Sequence, residues 1–154
     1  MSLRVGQRAP DFDLTSSAGQ PLRLAELRGK KNVVLYFYPA DFTTVCTRET
    51  CGFRDAYEDL ARKDTEIIGV SVDSDASHEK FAAEHKVLFP LVSDAGMTLA
   101  RKYEAASLFR TILGKTARVT YVIDKKGMIA GVFDSELRAS VHVDGVKSLI
   151  AKLA

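Results

Sequence analysis

Hydrophobic and polar positions along the chain predict helices placed between buried strands. The segments "NVVLYFYP" and "TEIIGVSVD" are almost continuous apolar runs, rich in β-branched and aromatic residues, which is typical of strands buried on both faces. Three other segments favour helices: about residues 44–63, "SHEKFAAEHK", which Ser77 could cap, and "DAGMTLARKYE". Helices that alternate with buried strands predict an α/β sandwich.

Both ends of the chain add further elements. The segment "DFDLTSSAGQPLRLAEL" predicts two short strands, residues 12–15 and 22–24, around a Ser/Gly/Pro turn. Near the other end, "ARVTYVIDKKGMIAGVFD" predicts two strands joined at residues 124–127, where the glycine suits a hairpin turn. A final amphipathic helix is predicted by a 3-4-3 spacing of Val143, Val146, Ile150 and Leu153.

This order of elements predicts the fold class. It is α/β, a thioredoxin-like fold with a mixed central sheet flanked by helices and an N-terminal β-hairpin extension. A length of 154 residues is most simply one domain, residues 1–154, and is long enough to bury a core without a disulfide.

Charge and hydropathy argue against nucleic-acid and membrane partners and against secretion. The formal net charge is only +2, and no Lys/Arg block exceeds two neighbours, so nucleic acid is not expected as a partner. The longest apolar run, residues 33–40, is too short for a membrane span, and the first ten residues lack the apolar run of a secretory signal. Two cysteines in such a chain favour a reducing compartment, with the cytoplasm as the expected location.

The two cysteines, Cys46 and Cys51, both lie on the helix predicted over residues 44–63. At 100° per residue, Phe53 and Leu60 fall within about 40° of Cys46, which therefore faces the core. Cys51 lies about 140° away, on the polar side with Asp55. Five residues of helix separate the two Cα atoms by about 8–9 Å, whereas a disulfide tolerates at most about 7 Å. In an intact helix these thiols cannot bond.

Three interpretations of the pair stay open from spacing alone. The cysteines could be unrelated, with one serving as a small hydrophobic core residue. A metal site would need more ligands, and His78, His85 and His142 are scattered without ligand spacing. A redox pair would require the helix to unwind first, at a cost of a few kcal/mol for about four to six backbone hydrogen bonds. Local openings of that size are common in folded proteins.

The position of Cys46 favours a thiolate. Pro39 ends the preceding strand and Thr43 or Thr44 suits the N-cap, so Cys46 falls in the first helical turn, where free N–H groups and the helix dipole favour an anion. An ordinary thiol is only a few per cent ionised at pH 7, and shifting its titration to about pH 6 takes about 3.4 kcal/mol. A helix end supplies only about 0.3–2 kcal/mol. An arginine at about 4 Å could add up to about 4 kcal/mol at an effective dielectric of about 20. A reactive thiol here therefore requires a nearby cation.

The same segment carries a family resemblance. The spacing Pro39-x3-Thr43-x2-Cys46 resembles the active-site signature of peroxiredoxins, and "YFYPADFTTVCTRETCGFRD" resembles their peroxiredoxin Q, or bacterioferritin comigratory protein, subfamily. The likeness covers nearly the whole chain, with "VGQRAPDFDL", "GVSVDS" followed by "SHEKF", "FPLVSD" and "ARVTYVIDKKG". The signature, the cysteine five residues later and the arginine in "RVTYVID" are together much more specific than the signature alone.

The resemblance implies roles for particular residues. Cys46 matches the peroxidatic cysteine of the family, and Arg118 matches the arginine beside it. Pro39 matches the residue that shields the thiolate, and Thr43 matches the hydroxyl that binds the peroxide.

The resemblance also implies a reaction cycle. Glu49 corresponds to the glutamate that orients arginine side chains, and Cys51 to the resolving cysteine. A peroxide, hydrogen peroxide or an organic hydroperoxide, oxidises Cys46 to a sulfenic acid, which Cys51 converts to an intramolecular disulfide. Thioredoxin or a similar dithiol then reduces the disulfide. No cofactor or metal is implied, and no C-terminal extension with a further cysteine follows, which favours a monomer or weak homodimer.

Less specific interpretations remain for the same residues. Without the family match, Arg118 reads as a surface or strand-edge arginine, and Arg48 and Glu49 as ordinary first-turn helix charges. Residues 73–75, Asp-Ser-Asp, lack the glycine and the glutamate of a calcium loop and read as a loop and helix cap. The absence of CxxC argues against a disulfide reductase. A redox-sensing or holdase module of the same fold is the alternative function, because a sensor would use the same reactive thiol.

Overall fold

The computed structural model describes residues 2–106, 116–135 and 138–153. The strands found there are β1 (Asp13–Thr15), β2 (Pro21–Arg23), β3 (Asn32–Phe37), β4 (Thr65–Ser71), β5 (Leu91–Ser93), β6 (Val119–Ile123) and β7 (Ile129–Asp134). The helices are α1 (Leu24–Leu27), α2 (Thr44–Arg62), α3 (Asp75–His85), α4 (Thr98–Lys102) and α5 (Ala139–Leu153). Among the described helices, none is both long and apolar enough to cross a membrane.

The central sheet is mixed, and its strand order is β5-β4-β3-β6-β7. Strands β3, β4 and β5 run parallel to one another, whereas β6 is antiparallel to both β3 and β7. Strands β1 and β2 form a separate antiparallel hairpin before this sheet. The predicted fold class, an α/β thioredoxin-like fold with an N-terminal hairpin, is therefore confirmed.

The two faces of the sheet pack against different layers. Because side chains alternate along a strand, Val34 and Tyr36 of β3 lie on one face, in a cluster with Phe53 of α2 and Val146 of α5. The ring of Tyr36 lies 4.8 Å from that of Phe53. Burial of each such side chain stabilises the fold by roughly 1.5–3 kcal/mol. This layer fixes α2 against the sheet.

The opposite face is covered by the hairpin, α1 and α4. Leu35 and Phe37 of β3 contact this second cluster, which includes Phe12, Leu22 and Leu99. All six residues of β3 are buried because both faces of the sheet are covered, as its continuous apolar pattern predicts.

The register of the sheet determines where Arg118 lies. Phe37 pairs with Val119, so Tyr38, just after β3, and Arg118, just before β6, continue the same antiparallel register. Alternation then places Arg118 on the face that also carries Thr120 of β6. That face is the one covered by α2 and α5.

Two predicted helices differ from the structure in detail. Ser77 is not the cap of α3: the helix begins at Asp75, and the Ser74 side chain accepts a hydrogen bond from the Ser77 backbone N–H at 3.2 Å. Either serine fits the N-cap preference, and Ser74 is selected because Asp75 then lies in the first turn near the positive end of the dipole. The helix predicted over residues 94–104 is shorter, Thr98–Lys102.

Two apolar positions also differ from prediction. Leu24, predicted in the second strand, starts the short helix α1 instead, because a leucine buried at a strand end satisfies either pattern. In α5, Val143, Val146 and Ile150 are buried as predicted, whereas Leu153 is 41% exposed at the end of the helix.

Candidate active site

Cys46 is the third residue of α2 and has no exposed surface. Thr43 occupies the N-cap position, with φ −81° and ψ 154°, but its hydroxyl donates a hydrogen bond to the Ala40 carbonyl at 3.0 Å and does not cap the helix. The first bond inside the helix joins the Thr47 amide to the Thr43 carbonyl at 2.8 Å. The preceding amides, including that of Cys46, have no helical acceptor and favour an anion at this end.

The loop that leads to Cys46 is attached to the segment before β6. Pro39, which follows Tyr38 at the end of β3, is buried. The Tyr38 carbonyl accepts a hydrogen bond from the Thr116 hydroxyl at 2.7 Å, and the Tyr38 hydroxyl donates to Asp41 Oδ1 at 2.7 Å. These bonds hold residues 38–41 beside the segment that carries Arg118.

Arg118 joins two buried side chains of α2. Its Nη2 donates to Cys46 Sγ at 3.0 Å, and its Nη1 donates to Glu49 Oε1 at 3.0 Å. Arg118 is 4% exposed and Glu49 is fully buried, so neither is the ordinary surface charge that spacing alone allowed. Cys46 and Glu49 are three residues apart, which places both side chains on the same face of the helix.

The electrostatics of this group favour a charged guanidinium beside the sulfur. Burial lowers the pKa of Arg118, but the negative charges of Cys46 and Glu49 and their hydrogen bonds outweigh it, so the pKa is raised above its usual value. Two unit charges 3.0 Å apart attract by about 5 kcal/mol at an effective dielectric of about 20. Arg118 is therefore the cation that a reactive thiol at this position requires.

His142 is a member of this group that the sequence analysis did not identify. Its Nδ1 lies 3.3 Å from Glu49 Oε2 and 2.8 Å from the Thr120 hydroxyl, and its Nε2 lies 2.8 Å from the Ser135 carbonyl. Since a carbonyl only accepts, the network assigns a hydrogen to Nε2. The one sequence feature that indicated a buried role for His142 is its place beside Val143 on the apolar side of α5. His142 links Glu49 to α5 and β6.

Cys51 lies on another side of α2 and contacts α3. Its Sγ is 3.8 Å from Nδ1 of His85, and the residue is half-buried, whereas the helical pattern predicted an outward position on the polar side of the helix. The end of α3 covers it, which no pattern within α2 could reveal. Cys46 and Cys51 are both free thiols, as expected for an intact helix between them.

A second buried polar cluster lies beside the loop before α2. Ligand-type atoms of Asp41, Asp73 and His78 all lie within 4.8 Å of one another. Asp41 Oδ1 accepts from Tyr38, and its Oδ2 accepts from the Ser77 hydroxyl at 2.9 Å and lies 2.8 Å from His78 Nδ1. Asp73 accepts from the Asp41 backbone N–H at 2.8 Å. Hydrogen bonds within the protein account for this arrangement without a metal.

The cluster stabilises the ionised form of Asp41. Burial raises the pKa of this carboxyl. Hydrogen bonds from His78, Tyr38 and Ser77 and the charge of His78 together lower it by more, so the net pKa is below its usual value. The prediction of a loop and helix cap over residues 73–75 agrees with the Ser74 cap. The anchoring of Asp41 by Asp73 was not predicted.

A buried cysteine at the start of a helix, held against a buried guanidinium on a thioredoxin-like sheet, is an arrangement that suits a thiol-dependent peroxidase. The chain belongs to the AhpC/TSA family, whose model matches residues 5–132.

Particular relatives show which subfamily of peroxiredoxins the chain resembles. The chain is 39% identical over 149 residues to a chloroplastic peroxiredoxin Q of Sedum lineare, covering 96% of this chain and 78% of that one. It is 38% identical over 158 residues to a putative peroxiredoxin bcp of Coxiella burnetii, covering 99% and 100%. The crystal structure of peroxidoxin BcpB from Mycobacterium tuberculosis superposes with a TM-score of 0.88 at 33% identity, covering 99% of both chains. The predicted peroxiredoxin Q/Bcp resemblance is confirmed.

Proposed function

We propose that Cys46 is the residue that attacks the peroxide. The observation that carries this proposal is the 3.0 Å contact between Arg118 Nη2 and Cys46 Sγ. The thiolate attacks the terminal oxygen of hydrogen peroxide or an organic hydroperoxide, and the O–O bond breaks. The leaving oxygen takes up the proton that the thiol released on ionising and departs as water or an alcohol. Cys46 becomes a sulfenic acid.

Arg118, Thr43 and the Cys46 backbone N–H stabilise and orient the two peroxide oxygens. The guanidinium and the free amide donate to oxygen as charge spreads over the O–O bond. Because the Thr43 hydroxyl donates to Ala40, its contribution is an oxygen lone pair that accepts the peroxide O–H. This hydrogen bond orients the hydroperoxide for in-line attack.

Pro39 and Glu49 support the reacting group without contacting the O–O bond. Pro39 is buried at the end of β3 and shields the thiolate from water. Glu49 holds the guanidinium by the 3.0 Å bond to Nη1, which leaves Nη2 directed at the sulfur.

Cys51 resolves the sulfenic acid. The Cys46 S–OH bond breaks as the two sulfurs bond, and water leaves with the proton of the Cys51 thiol. Support comes from the two free thiols on different sides of α2, which can meet only if the first turns of the helix unwind. An external dithiol, thioredoxin or a similar reductant, then restores both thiols.

A chain whose two cysteines serve chemistry and not a structural disulfide suits a reducing compartment, and we assign the protein to the cytoplasm. Its plant relative is described as chloroplastic. A monomer or weak homodimer is sufficient for this cycle, because both reacting cysteines lie on one helix.

The test uses two single variants. Cys46→Ser is expected to abolish peroxide consumption, and Cys51→Ser to permit one turnover without recycling by thioredoxin and its reductase. Intact mass after one equivalent of peroxide separates the products: a disulfide loses two hydrogens, and a sulfenic acid gains one oxygen. Unchanged turnover in Cys46→Ser would disprove the proposal. A redox-sensing or holdase module would stop after one turnover in the wild type.

A further inference from the structure

We propose that His85 is the acid–base residue of the second step, in which Cys51 attacks the oxidised Cys46. The inference rests on the resolving role of Cys51 proposed above. It assigns a function to a histidine that lies on another helix and has no part in the peroxide step.

The geometry orients the imidazole toward the sulfur. Nδ1 of His85 lies 3.8 Å from Cys51 Sγ, a hydrogen-bonding distance for sulfur. The ring packs edge-on against Phe81, with centroids 5.0 Å apart. The His85 carbonyl accepts a hydrogen bond from Arg54 Nη1 at 2.9 Å. Arg54 lies three residues after Cys51, so this bond fixes the end of α3 beside the part of α2 that carries the thiol.

The chemistry of the step needs such a group. A thiolate is the nucleophile in disulfide formation, and the hydroxyl that leaves the sulfenic acid needs a proton. Neutral His85 accepts the proton of the Cys51 thiol, and the thiolate forms the S–S bond as the S–O bond of Cys46 breaks. The imidazolium then returns the proton to the leaving oxygen as water. The step balances without an external acid, base or oxidant.

The Arg54 contact also predicts which thiol moves. If Cys51 stays against His85, the S–S bond of about 2 Å brings the leaving oxygen of Cys46 within reach of the same imidazole. Only the residues of α2 that precede Cys51 then need to unwind. The oxidised Cys46 therefore moves toward Cys51 and His85, which keep their positions.

The surroundings of His85 contain charges of both signs. An open cleft of about 420 Å³ is lined by His85 with Arg48 of α2 and Glu84 of α3, among others. Arg54 lies on the α2 side and carries an ion pair with Asp55 at 2.9 Å. The cleft also gives small molecules access to the imidazole.

The experiment resolves the two steps by rapid acid quench and intact mass after one equivalent of hydrogen peroxide. His85→Asn keeps a polar group near the Nδ1 position without a titratable one. We expect the rate of sulfenic acid formation to be unchanged and the rate of disulfide formation to fall at least tenfold. The wild-type rate of the second step should show a pH inflection that His85→Asn lacks, because the variant has no titratable group beside Cys51.

Imidazole rescue tests the chemical role within one variant. In His85→Ala, added imidazole is expected to restore disulfide formation in proportion to its concentration by entering the cleft. A loss of stability cannot mimic this result, because the variant is compared with itself. Glu84→Gln is the matched control in the same cleft and should retain the wild-type pH inflection.

Each outcome decides the proposal. A second step within twofold of wild type in His85→Asn, no response of His85→Ala to imidazole, or an inflection lost in Glu84→Gln would overturn it. Failure of the underlying function gives a different result: Cys51→Ser would then recycle at the wild-type rate. A normal disulfide in His85→Asn together with none in Cys51→Ser would reject the role of His85 alone.

Discussion

The substitution Arg118→Met measures how much of the reactivity of Cys46 comes from the buried guanidinium. Nη2 lies 3.0 Å from the sulfur, which corresponds to about 5 kcal/mol for unit charges at an effective dielectric of about 20. The guanidinium charge is spread over three nitrogens, so about 3–4 kcal/mol is a better value. At about 1.36 kcal/mol per factor of ten, we expect the second-order rate constant with hydrogen peroxide to fall by about two to three orders of magnitude.

The assay is single-turnover oxidation of Cys46, followed by quench and intact mass, beside the rate of iodoacetamide alkylation as a function of pH. In Arg118→Met, alkylation at pH 7 should slow in parallel, because the sulfur loses the guanidinium that stabilises its negative charge. Arg62→Met is the matched control, since Arg62 is exposed at the far end of α2. Its rates should stay within twofold of wild type.

Stability must be measured separately, because Arg118→Met also removes the 3.0 Å bond to Glu49. The double variant Arg118→Met/Glu49→Gln removes both charges and should recover part of the lost stability without recovering the rate. If Arg118→Met reacted with peroxide within threefold of wild type and kept its alkylation profile, the electrostatic reasoning would be refuted.

Three further predictions concern other parts of the molecule. Oxidation should lower amide-exchange protection over residues 44–51, and equal protection in reduced and oxidised protein would contradict the unwinding step. Asp41→Asn should lower the free energy of unfolding by about 3 kcal/mol. Because folding lowers the pKa of Asp41, the difference in stability from wild type should shrink as the pH falls through that pKa. Urea titrations that show the same difference at every pH would contradict this prediction. Gly145→Ala should destabilise by about 1–3 kcal/mol, although helix propensity alone predicts a gain, because a Cβ there would overlap the Phe133 ring; a raised melting temperature would refute this.

The fold was largely predictable because its central strands have a simple pattern. β3 and β4 are buried on both faces, so their apolar runs leave no competing interpretation. Errors occurred where two local solutions have similar energies. Ser74 and Ser77 both suit an N-cap, and the acidic first turn that follows Ser74 decides between them. Leu24 suits a strand end or a short helix, and the packing of its buried side chain decides between the two.

The candidate site was predictable only in part from local patterns. Helical spacing placed Cys46 toward the core, but its contact with Arg118 spans 72 residues, and only the family resemblance indicated that pair. His142 and His85 were set aside because they are isolated in the sequence. Their partners, Glu49 and Cys51, lie on α2, and the packing of three helices brings these pairs together.

Because Arg118 lies one residue before β6, its proposed role at Cys46 depends on how β6 pairs with β3. A slip of β6 by a single residue against β3 would present Ala117 or Val119 to the sulfur and turn the guanidinium toward the hairpin side. On the other edge of β6, its pairing with β7 already contains a register shift near Val122 and Ile123. A change of register there does not alter the pairing of β6 with β3. An insertion tolerated in β7 would therefore leave the contact between Arg118 and Cys46 intact. The same insertion between Arg118 and the middle of β6 would break this contact while the sheet still formed.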